Sequence, residues 1–186
     1  RRLTTMDHDK NMPDTPDQRR RTYEWDCPAA IHSEAKNMSG LDFSKNGMVG
    51  DSRRPPIGHT LDFSLSEVEG GKAVFAPTPA AFHYNPIGTV HGGYYGTLLD
   101  SAMGCAVHSV MAPGEGYTTL EYKINLVRPL TSQVGEIRCE GWVVHRGRRM
   151  ATAEGKIVDL SGKLYAHGST TCMIIPNWGK KDDTSP

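Results

Sequence analysis

Long apolar runs are missing from this sequence. No stretch approaches the roughly 20 residues needed to cross a bilayer, and the first turns of chain carry no apolar signal-peptide core. Net charge is missing too, because 21 Lys and Arg balance 21 Asp and Glu. That balance leaves no electrostatic footprint for nucleic acid or an anionic membrane surface. Cysteines are few: Cys27, Cys105, Cys139 and Cys172 lie far apart, with no CxxC or Cys/His ligand spacing. Neither a zinc site nor a disulfide framework is indicated, and reduced, mostly core thiols are expected. The protein is therefore expected to be cytoplasmic and soluble, with a small-molecule partner and neither nucleic acid nor membrane.

What is present is enough for one domain. At 186 residues and 37% hydrophobic content, the chain can bury a real core but is short for two. Residues 1–22 carry Pro13, Pro16, several Asp and the run Arg19-Arg20-Arg21. They are expected to be disordered, and the opening Arg points to a trimmed or expression-derived end. Residues 23–54 read as a helical region, with Ala29, Ala30, Ala35 and Met38 broken at Gly40. Residues 55–176 form the main domain, and 177–186 a loose polar tail.

Within that domain the period changes. Leu61, Phe63 and Leu65 alternate with polar residues, and Gly70-Gly71 leads into Ala73-Val74-Phe75, which predicts a hairpin. From Gly92 to the stop at Ala112-Pro113-Gly114 the chain is apolar nearly all round, as in a helix wrapped by sheet. Four strand-like runs follow: Leu120 to Leu126, Glu136 to His145, Arg148 to Leu160 and Lys163 to Ile175. One buried helix followed by a long antiparallel meander is an α+β pattern.

Two features of the helix carry chemistry. Its first residues, Gly92 and Gly93, offer unpaired backbone N–H groups to which a substrate oxygen can come close; they also serve simply to permit a tight turn. Asp100 is the only acidic or basic side chain between Gly92 and Gly114, histidines aside, and its neighbours at helical spacing are Gly93, Gly96, Thr97, Met103, Gly104 and Val107. A carboxylate on such a face is either functional or held by nearby backbone groups. The residues alone leave both pairs of readings open.

The stretch Asn85-Pro-Ile-Gly-Thr-Val-His-Gly-Gly, then Leu98-Leu99-Asp100, Thr118-Thr119-Leu120 and Arg128-Pro129, resembles the phenylacetate-degradation type of hotdog acyl-CoA thioesterase. Gly135-Glu136, the Gly147-Arg148 turn and the Asp159 to Gly162 turn extend the match. The resemblance implies a hotdog fold, an antiparallel sheet wrapped around a central helix, and hydrolysis of an acyl-CoA with no metal or cofactor. It implies that Asp100 is the general base or nucleophile and that the N–H of Gly92 binds the thioester oxygen. Asn85 orients substrate or water, His91 shapes the turn, and Thr119 helps to hold the water. It also implies that the loop His145-Arg146-Gly147-Arg148-Arg149 meets the CoA nucleotide, although three arginines at a turn can equally be a solvated surface. Tyr94, Tyr95, Met103 and Phe82 are candidates for the acyl pocket or for the core.

Helix geometry adds an expectation about assembly. Gly92 and Asp100 are eight residues apart, about 12 Å of axial rise, so one thioester carbon cannot meet both groups of one chain. The site should form between subunits, in a homodimer or a dimer of dimers. The competing readings are a non-catalytic acyl-CoA-binding module and a hotdog dehydratase, whose Asp and His spacing this chain does not show.

Overall fold

The computed structural model describes residues 19–35, 37–49 and 54–178. A layer of short helices comes first: α1 (Pro28–Ala35), α2 (Gly40–Phe43), which runs on into a π-helical turn Ser44–Met48, and α3 (Pro56–Leu61). Then come β1 (Leu65–Glu69), β2 (Lys72–Phe75), the long α4 (Gly92–His108), β3 (Gly116–Leu126), β4 (Ile137–Arg146), β5 (Met150–Asp159) and β6 (Leu164–Ile175). All six strands join one antiparallel sheet in the order β1-β2-β4-β5-β6-β3. This is the hotdog arrangement that the sequence predicts.

α4 is the filling. Leu98, Leu99, Ala102, Met103, Ala106 and Val107 are fully buried and pack on Ile137, Cys139, Ala151, Ala153 and Ile157 of the sheet. The helix backbone comes so close to β4 that a Cβ on Gly141 would lie 2.4 Å from the carbonyl of Ala102. Only glycine tolerates that approach. All four cysteines are free thiols; Cys139 and Cys172 are buried, Cys105 half-buried and Cys27 exposed.

Two readings of the local pattern need correction. Leu61 belongs not to a strand but to α3, opened by Pro55-Pro56 and ended by Asp62 in the left-handed region at φ 55°. Proline at a first helical position and a left-handed terminal residue are boundary signals that the alternation of Leu61, Phe63 and Leu65 masks. Second, only β4, β5 and β6 form a meander, since β3 crosses to pair with β6 at the far edge. Of the two readings open for Tyr94, Tyr95 and Met103, core holds: Tyr95 donates to the Arg128 carbonyl and accepts from the N–H of Leu130, and Tyr94 stacks on His83. Phe82 is exposed beneath the guanidinium of Arg21. The parts of the expected loose ends at 1–18 and 179–186 lie outside the described residues. Arg21, near the end of the first segment, is anchored on the carbonyls of His59 and Thr60.

Two histidines tie stability to pH. Burial pushes both His83 and His108 below the usual imidazole range, against a raising hydrogen bond from His83 to the Leu61 carbonyl. Each takes up a proton more readily unfolded than folded. The stability present above about pH 6.5 is therefore lost as pH falls below it, by up to about 1.4 kcal/mol per pH unit for each histidine. The lowered carboxyls of Glu67, Glu115 and Asp159 add acid sensitivity only below about pH 4.5. Urea denaturation should thus show a clearly lower midpoint at about pH 5 than at about pH 8; equal midpoints would contradict it.

Candidate active site

One stripe of α4 organises the site. Gly92, Gly96, Asp100 and Gly104 recur every four residues, which places them on one face. β3 lies along that stripe. A Cβ on Gly104 would sit 2.6 Å from the Tyr117 hydroxyl, one on Gly96 would touch Tyr122 and Ile124, and one on Gly92 would meet Leu126 at 3.2 Å. Between the glycines, the Thr119 hydroxyl donates to Asp100 Oδ1 at 3.1 Å. Among the described residues this is the carboxylate's one hydrogen bond, and Oδ2 has no protein donor.

That contact depends on a bulge. β3 and β6 pair Thr119 with Cys172 and Glu121 with Thr171, so Leu120 is an extra residue in β3. Strict alternation from Leu126 back through Ile124 and Tyr122 would turn Leu120 inward and Thr119 outward. The bulge resets the parity, so that Leu120 is 54% exposed and Thr119 faces Asp100.

The loop before α4 holds the helix start. Asn85 Oδ1 accepts from the N–H groups of Ile87 and Thr89, and its Nδ2 donates to Thr89 Oγ1. The Asn85 side chain is thus engaged in its own turn. His91 is the N-cap of α4: its Nδ1 accepts from Gly93 N–H, and its carbonyl accepts from Tyr94 N–H. The N–H of Gly92 has no acceptor among the described residues. A donor at the positive end of a 17-residue helix is left open to an incoming oxygen.

Asp100 stands at the edge of a cavity of about 240 Å³, with Ile57, Phe63, Leu65, Phe75, Cys105 and Tyr117 among its walls. These walls follow from tertiary packing, and the residues before Gly92 carried no sequence signal for them. Burial, followed by the Asp100 charge, pushes the Cys105 thiol up to about 12. Burial also holds the Tyr117 hydroxyl well above its usual range. Both groups are therefore neutral wall, not acids or nucleophiles. A larger cavity of about 880 Å³ lies over β1, β2, β4 and β5, lined by Glu67, Arg138, Trp142 and Lys156 among others. It holds none of the expected site residues, and the carboxylate, not the volume, locates the chemistry.

The basic loop is the β4–β5 hairpin. Arg146 is committed to Glu115 at 2.6 Å, while His145, Arg148 and Arg149 are exposed and Gly147 makes the turn. Thr119 pairs with Cys172, Cys172 with Ala151 and Ala151 with Arg146. Three strand spacings, about 14 Å, therefore separate the hairpin from Thr119 across the sheet.

A central helix carrying a lone carboxylate, clasped by a six-stranded antiparallel sheet, defines the class as a hotdog protein. The thioesterase superfamily profile matches residues 87–166, which include α4, β3, β4 and β5. Solved structures with this fold include a conserved protein of Pseudomonas aeruginosa, 30% identical, covering 65% of this chain and 94% of that one, with a TM-score of 0.61. A thioesterase family protein from Silicibacter pomeroyi is 25% identical over 66% of this chain and 91% of its own, TM-score 0.61. A phenylacetic acid degradation-related protein from Ralstonia eutropha is 27% identical over 67% and 93%, TM-score 0.60. No curated protein sequence matches significantly. This chain belongs to the thioesterase superfamily, whose class of reaction is thioester hydrolysis.

Proposed function

We propose that the protein is an acyl-CoA thioesterase, releasing a free carboxylic acid and CoA. The observation that carries the reading is the lone carboxylate of Asp100, held on one oxygen by Thr119 and facing a cavity walled mainly by apolar side chains, with Arg54 also in its lining. Its free oxygen takes a proton from water, and the resulting hydroxide attacks the thioester carbon. The carbonyl oxygen becomes an oxyanion, which a preorganised N–H stabilises as its charge develops. Collapse breaks the C–S bond, and the thiolate leaves with the proton that Asp100 had taken.

The N–H is that of Gly92 in a second subunit. Within one chain it lies about 12 Å along the helix from Asp100, beyond the reach of one carbonyl. β3 supports such a dimer: it is an edge strand of 11 residues with Leu120, Tyr122 and Leu126 exposed. A long open edge strand pairs readily with a second strand, and a two-fold pairing there would bring two copies of α4 together.

CoA enters through its phosphates. With Arg146 held by Glu115, Arg148 and Arg149 are the cations left to receive them, across a distance that a pantetheine arm bridges. Arg148→Ala should therefore raise KM for CoA esters about tenfold, the value of one charge-assisted hydrogen bond, with little change for esters of short thiols. Thiol release from both substrate types checks this. Equal losses on both would make the hairpin structural, and no release from any CoA ester would leave a binding module in place of an enzyme.

A further inference from the structure

The cavity at Asp100 does not end within the shared domain. A second cavity of about 290 Å³ adjoins it, and Pro55, Cys105 and Tyr117 line both. The far walls of this second space are Ile31 and Ala35 of α1, Phe43 of α2, His108 and Trp178. Apart from His108, these residues lie outside 87–166, the part that matches the family profile. Both ends of the described chain thus converge on one apolar space behind the carboxylate.

Those walls are firmly attached. Gly40 donates its N–H to the Met111 carbonyl, and a Cβ there would collide with the His108 carbonyl, so α2 sits directly on the end of α4. Phe43 meets the His108 ring edge-on at 5.6 Å. Trp178 donates its backbone N–H to the Gly114 carbonyl and lays its ring against Gly116, where no Cβ would fit. The wall includes no acid or lysine, and burial favours the neutral form of His108. Its character is that of a hydrocarbon sleeve.

Resting on the thioesterase reading, we infer that the two cavities form an acyl channel, closed by α1, α2 and Trp178, which selects straight medium-chain fatty acyl thioesters. The length follows from the helix. Asp100 and His108 are eight residues apart on α4, about 12 Å, enough for an extended chain of roughly ten carbons. An aryl or short acyl group would fill only the space beside Asp100 and leave the distal cavity without contacts. Each methylene placed in the channel should raise kcat/KM about fourfold, the equivalent of about 0.8 kcal/mol.

The test measures hydrolysis of acyl-CoAs from butanoyl to hexadecanoyl by the wild type, Ile31→Trp and Trp178→Ala. Specificity should climb with length in the wild type and level off near decanoyl. The ratio of kcat/KM for decanoyl-CoA to that for butanoyl-CoA should fall at least tenfold in Ile31→Trp, whose indole fills the distal cavity. In Trp178→Ala the plateau should move to longer chains. Because the readout is a ratio, partial loss of folded protein leaves it unchanged. A flat profile, or one that neither variant alters, overturns the channel and leaves the thioesterase standing. If no acyl-CoA is cleaved, calorimetry with the free fatty acids decides. Length-dependent binding weakened by Ile31→Trp keeps the channel and removes the enzyme, and absence of binding removes both.

Discussion

Asp100→Asn should fold as the parent does and turn over substrate about 10²–10⁴-fold more slowly, the usual worth of a positioned general base. The amide keeps the size of the carboxylate, and its Oδ1 can still accept from the Thr119 hydroxyl, whose contact at 3.1 Å is the one bond the carboxylate makes among the described residues. What disappears is basicity alone. KM should change little if the base acts mainly in the transition state. Steady-state kinetics beside a melting curve separates the two effects. Near-normal kcat in a folded variant would remove Asp100 from the chemistry and, with it, the mechanism.

The second large effect concerns two chains at once. Asp100→Asn and Gly92→Val should each be nearly inactive alone, the first lacking the base and the second covering the N–H at the helix start. Leu126 already stands 3.2 Å from where a Cβ on Gly92 would be, and it is 49% exposed, so it can move aside without breaking the core. Mixed and refolded together, the two variants should recover about a quarter of wild-type activity. About half the dimers are then mixed, and in each of those both defects fall in one site while the other is intact. Sites contained within single chains would each carry one defect, and nothing would return. That result, with mixed dimers verified by mass spectrometry, would refute the shared site and leave the fold and the reaction class untouched.

The candidate site residues were legible because their signals are local. Asp100 announces itself as the one charge in an apolar helix, and Gly92 follows from the glycine pair at its start. The hairpin at Gly147 and the turn at Ser161-Gly162 show in the break of alternation, and the structure places them where the pattern predicts. Thr119 was legible only by resemblance. Read by period two, Leu120 would face α4, and nothing in Thr118-Thr119-Leu120 marks the extra residue.

Along the chain, then, side-chain chemistry and its period determined one buried helix, its antiparallel sheet and the carboxylate at the helix centre. These depend on residues a few positions apart, whose geometry is set by 3.6 and 2 residues per repeat. Tertiary structure decided where β3 pairs, which way Thr119 points, that Tyr94 and Tyr95 are core, and that α1, α2 and Trp178 enclose the space behind Asp100. Each of those depends on which distant surfaces pack closely enough to exclude water, and close packing joins residues such as Ile31 and Trp178 whose separation in sequence carries no period to read.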